Sequence, residues 1–185
     1  MLLRKIASKK RWDKNEIPKL IPREDALFTS DAISDLRTKG NTISVWHTID
    51  LQKENIKNIL AIMALNCDKI DKVFYVALDE DVLRSKGLQI EPVAGNCESI
   101  TNPEILNRHR DLVKVDYWHL GYLAEYIYEL IDAGQVFSVN ATEVKGYINE
   151  MISANEIDST KLDDKKRVQL GLPALSKCFN CLDRP

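Results

Sequence analysis

Residues 42–78 read TISVWHTIDLQKENIKNILAIMALNCDKIDKVFYVAL, and their interpretation decides the architecture. The opening TISVW, Thr42 to Trp46, is rich in β-branched and aromatic side chains and reads as a strand. Just before it, Gly40 and Asn41 both tolerate a left-handed backbone, which marks a turn. Further on, Ile56, Ile59, Leu60 and Met63 recur at i, i+3, i+4 and i+7. Ile62, Ala64 and Leu65 widen that stripe around the cylinder, so the spacing predicts a central helix over residues 53–66. The closing KVFYVAL, Lys72 to Leu78, is too continuously apolar for a half-wet edge and reads as an interior strand. Strand, helix and strand in this order imply a βαβ unit.

Working outward, Asp79 is placed to cap a short helix that ends near Gly87. LQIEPV, Leu88 to Val93, reads as a third strand, which Pro92 assigns to an edge or an end. A loop from Ala94 to Asn102 leads to a short helix from Pro103 through His109, and LVKV (Leu112 to Val115) reads as a brief strand. Asp116 then caps a long helix to Asp132, closed by Gly134. QVFSV (Gln135 to Val139) is a strand, and Asn140 with Glu143 has capping-box spacing before a helix striped with Val144, Tyr147, Ile148, Met151 and Ile152. The expected fold is a single α/β (or α+β) domain: a small mixed sheet of about four strands flanked by helices. Its expected divisions are a basic N-terminal arm with turns (1–37), a core (38–157) and a charged C-terminal segment with a CxxC tail (158–185).

A chain of 185 residues with 44 % hydrophobic and 29 % charged content can bury a core without staples. No apolar run reaches the roughly 18 residues of a membrane span, and MLLRKIASKKRW lacks the apolar stretch of a secretory signal. A cytoplasmic protein with no membrane contact and no cofactor is expected. The net charge of −2 is unevenly spread: residues 1–23 hold eight Lys or Arg against two acids, which leaves the remainder with a net charge of −8. Lys9, Lys10, Arg11 and Trp12 could therefore touch a nucleic-acid backbone, or the arm could fold onto its own acidic body.

The chemistry-bearing motifs are sparse. HRDLVKVD, His109 to Asp116, resembles a kinase catalytic loop only locally. No glycine-rich loop precedes it, no DFG follows, and Asp116 stands where Asn is required; three charged residues at a helix end explain it better. Cys178 and Cys181 are spaced as half of a zinc site, but Cys67 and Cys97 are singletons, and too few residues follow Cys181 to build a thioredoxin-like helix. His109, Asp111 and His119 are the candidates for general acid–base work if the chain is an enzyme.

The helix from Tyr117 to Ile131 carries more information. At about 100° per residue, Leu120, Leu123, Ile127, Leu130 and Ile131 gather on one side as a core stripe. Nearly opposite lie Trp118, Tyr122, Glu125, Tyr126 and Glu129, where a wet face should be charged or small. Aromatic rings among carboxylates are the composition of a binding surface. The functional expectation is thus a non-catalytic binding protein that uses this face on a protein partner or on its own copy as a homo-oligomer. An enzyme and a nucleic-acid binder are the alternatives.

Overall fold

In the computed structural model, which describes residues 1–7, 12, 30–36, 38, 40–95 and 97–175, a short strand at Leu2–Ile6 (β1) sits in the middle of the sheet. The chain continues through α1 (Ser30–Asp35), β2 (Ile43–His47), α2 (Lys53–Leu65), β3 (Val73–Leu78), α3 (Glu80–Ser85) and β4 (Gln89–Pro92). Next come α4 (Pro103–Leu106), β5 (His109–Val113), α5 (Tyr117–Asp132), β6 (Val136–Val139), α6 (Ala141–Ser153), a 3-10 turn at Ser159–Lys161 and α7 (Asp164–Gln169).

The six described strands run in the order β4-β5-β2-β1-β3-β6, and every pairing is antiparallel. Six antiparallel strands replace the expected mixed sheet of about four. The βαβ reading of residues 42–78 is half right: β2 and β3 point the same way, but β1 lies between them and pairs with both. The connection is therefore a split βαβ. Continuous apolar character in KVFYVAL correctly signals burial on two faces, but it carries no information about the direction of the neighbours.

Strand alternation sorts the core into two layers. Leu3, Trp46, Val73 and Tyr75 face α2 and α6, whose Ile59, Ile62, Val144, Ile148 and Met151 seal that side. Leu2, Ile6, Val45, Val76 and Leu112 face the other way, against Leu36 just after α1, Leu83 of α3 and the inner stripe of α5.

Three local readings need correction. Leu2–Ile6, taken as part of an arm, is a central strand: Leu2, Leu3 and Ile6 are buried, and the Arg4 guanidinium is held by the carbonyls of Ser44 and Asp35. His109, Arg110 and Asp111 belong to β5 rather than to a helix end; α4 stops at Leu106. The charged run after Asp158 is not simply solvated: Leu162 and Leu170 join the core, and Arg167 is only 6 % exposed, donating to the Pro173 carbonyl at 2.8 Å.

Deleting residues 1–7 is expected to abolish cooperative thermal unfolding, because β1 bridges the two halves of the sheet. Leu3→Ala alone should reduce stability by about 2–5 kcal/mol as a core truncation. Circular dichroism melts check both, and a wild-type Tm in the deletion would show that the strand is dispensable.

Candidate functional site

Helix α5 starts where the sequence predicts, because Asp116 satisfies its free N–H groups. The Asp116 carboxylate accepts from the His119 N–H at 2.9 Å, and the Asp116 N–H donates to His119 Nδ1 at 3.4 Å, a reciprocal cap. His119 Nδ1 also lies 2.7 Å from Asp116 Oδ1. The backbone N–H of His119, then its ring, holds the Asp116 carboxyl below the ordinary carboxylate range. Leu123, Ala124, Ile127 and Ile131 are buried against the sheet, with Leu120 and Leu130 partly buried beside them.

The other side of α5 is divided. Tyr122 and Tyr126 stack with ring centroids 6.4 Å apart and lie partly buried on the core beneath the segment around α3. Lys86 places its ammonium 4.8 Å from the Tyr122 ring centroid, and the Asp79 N–H donates to the Tyr126 hydroxyl oxygen at 3.1 Å. Burial, then Tyr126 and the carboxylates of Glu129 and Glu125, raises the Tyr122 hydroxyl above the usual phenol value. These two rings are thus partly claimed by their own chain.

Trp118 is not: it is 88 % exposed, and Tyr117 beside it is 91 % exposed, more than any other large hydrophobic side chain among the described residues. Sequence periodicity missed Tyr117. The signal was available in its position as the first residue after the cap, since a helical side chain leans over the turn before it and Tyr117 has none. Glu125 and Glu129 are exposed one turn apart. The site therefore consists of two open rings, two half-covered rings and a flanking pair of carboxylates, with one lysine already resting on a ring.

The alternative constellation does not converge. His109 and Asp111 share one face of β5, with Nε2 and Oδ1 3.7 Å apart, while His119 sits on α5 across the sheet. Gly95 lets the chain pass close to this pair, since a Cβ there would lie 3.2 Å from the Trp46 ring. The His109 ring packs edge-on to Trp46, and its Nδ1 lies 3.0 Å from the Val93 carbonyl oxygen. The Ser44 hydroxyl donates to Asp111 at 3.2 Å, so the carboxylate stands between serine and histidine. Nucleophile activation needs the imidazole in that central position. Asp50, near His47 in sequence, instead accepts from the Gln52 N–H and Asn55, while burial, the Met1 amine and Arg110 push the His47 ring below its ordinary value.

Trp12 is fully buried and donates its indole N–H to Asp35 at 3.0 Å, which removes it as a base-stacking ring. Lys9, Lys10, Arg11, Cys178 and Cys181 lie outside the described residues. Among the described residues no cluster of three or more His, Cys, Asp or Glu is arranged to hold a metal, and no helix is long and apolar enough to cross a membrane. No family model, curated protein or solved structure matches this chain.

The Asp116 cap yields a pH prediction. Its folded value is depressed, so its stabilisation is complete above the unfolded value and is lost as pH falls through the folded one. Asp116→Asn keeps a capping acceptor but cannot titrate. Melts across the acid range should show a shallower loss of Tm in the variant; an identical slope would mean that the pair contributes nothing.

Proposed function

We propose that this chain is a non-catalytic binding protein whose α5 surface docks a cationic segment of a protein partner. The observation that carries this reading is the exposure of Trp118 and Tyr117 on a helix whose opposite side is sealed in the core. Folding consumes one side of the helix and leaves two large rings in water. Burying one tryptophan removes on the order of 200 Å² from solvent, a gross gain of roughly 5 kcal/mol before association entropy is subtracted.

Charge supports the choice of partner. Glu125 and Glu129, one turn apart, repel each other until a cation lies between them. Lys86 over Tyr122 already displays the contact that a partner lysine or arginine would make on the neighbouring open ring. A second copy of this chain is the competing occupant.

Trp12 and Trp46 are buried, so the solvent-exposed tryptophan fluorescence belongs to Trp118. Titration with a lysine- and arginine-rich peptide should shift that emission to the blue, and added salt should weaken the effect. Glu125→Lys combined with Glu129→Lys should weaken binding about tenfold or more, equivalent to ~1.4 kcal/mol. An unchanged spectrum at saturating peptide would overturn the proposal. So would concentration-dependent sedimentation that Trp118→Ala abolishes, which would assign the surface to self-association.

A further inference from the structure

The pairing of β1 with β2 stops early. It covers Leu2↔His47 and Leu3↔Trp46, whereas the pairing of β1 with β3 continues to Ile6↔Phe74. Where β1 and β2 part, a cavity of about 260 Å³ opens, lined in part by Lys5, Ser44, Trp46, Met63, Asn66 and Cys67. Leu3 and Lys5 point to the α2 side of the sheet by strand alternation. Lys5 thereby reaches Cys67, two residues past the end of α2, and its ammonium donates to the sulfur with Nζ and Sγ 2.9 Å apart. The thiol in turn donates to the Met63 carbonyl at 3.2 Å.

We propose that Lys5 and Cys67 form an oxidant-responsive modification site, at which a peroxide couples the lysine amine to the cysteine sulfur. The cavity is several times the roughly 30 Å³ that a water molecule occupies in the liquid, so hydrogen peroxide can enter. The contact holds the lysine nitrogen beside the sulfur atom that it must attack. In the first step the sulfur attacks one peroxide oxygen, the O–O bond breaks and water leaves. Sulfur is oxidised to the sulfenic acid, and the peroxide is reduced. In the second step Lys5, having released its ammonium proton to solvent, attacks that sulfur; the S–O bond breaks, a second water leaves and an S–N bond forms. One thiol, one ammonium and one peroxide become one S–N bond, two waters and one proton. A thiol reductant reverses the link by attacking the sulfur.

The link ties the central strand to the C-terminal end of α2. It lies on the opposite side of the sheet from α5 and does not depend on the binding surface proposed above. Cys97 is the internal comparison, since its sulfur contacts the Ser99 hydroxyl at 3.4 Å rather than an ammonium.

The test treats the full chain with hydrogen peroxide, blocks remaining thiols, digests it and maps the peptides by mass spectrometry. The expected product joins the Lys5 and Cys67 peptides at a mass two hydrogens below their sum. Dithiothreitol should release it, and the oxidised protein should melt at a higher Tm than the reduced one. Lys5→Arg should abolish the joined peptide and leave Cys67 on the sulfenic-to-sulfinic ladder. The joined wild-type peptide decides the matter directly even if that variant folds poorly. Three results would overturn the proposal: Cys67 oxidised only to free oxyacids, Cys67 in a disulfide with another cysteine, or the Cys67 peptide still joined through nitrogen to another peptide in the Lys5→Arg protein.

Discussion

The backbone pairing of Leu2–Ile6, along its whole length with β3 and at Leu2 and Leu3 with β2, holds this structure together. On one side β2 leads to β5 and β4; on the other, β3 leads to β6. Neither group of strands pairs with the other except through β1, so its N–H and C=O groups are the shared partners that a buried sheet requires. The strand is also anchored at its far end. The Asp35 carboxylate accepts from the Ala7 N–H at 2.7 Å and from the Trp12 indole, and the Asp35 carbonyl accepts from Arg4 at 3.1 Å. Burial lowers the Arg4 pKa below its ordinary value, and the nearby Asp35 charge opposes that shift. A guanidinium so near the sheet centre is tolerable because its Nη atoms reach the carbonyls of Ser44 and Asp35.

From this arrangement follows the separation of two surfaces. The α5 layer packs on the face that carries Leu2 and Ile6, and the α2 layer packs on the face that carries Leu3 and Lys5. Asp79 and Lys86, which flank α3, shelter Tyr126 and Tyr122, whereas Tyr117 and Trp118 in the first turn of α5 stay uncovered. The open aromatic rings of that helix face are thus concentrated at its N-terminal end, while Glu125 and Glu129 stay exposed further along. On the α2 side, the early end of the β1–β2 pairing leaves room for a cavity beside a lysine and a thiol.

The candidate residues show where sequence reasoning reached and where it stopped. Trp118 was legible because a large ring at the polar phase of an amphipathic helix has no core to enter. Tyr122 and Tyr126 share that phase, yet their partial cover comes from Lys86 and Asp79, residues whose proximity no helical period encodes. The pair of Lys5 and Cys67 was invisible for the same reason, being 62 positions apart in the chain. His109 and Asp111 did meet, because alternate residues of one strand share a face whatever the sheet does.

By itself the sequence determined part of the local structure: the helix periods over 53–66 and 117–132, the capping aspartates and asparagines, and the turn at Gly40 and Asn41, whose φ values of 63° and 60° are both positive. These depend on neighbours within about one turn, and such neighbours are fixed by position in the chain. Only the tertiary structure decided that β1 enters between β2 and β3, that all pairings are antiparallel, and which rings stay in water. Those outcomes depend on hydrogen bonds and contacts between distant segments, and the same apolar pattern satisfies a parallel or an antiparallel neighbour equally well.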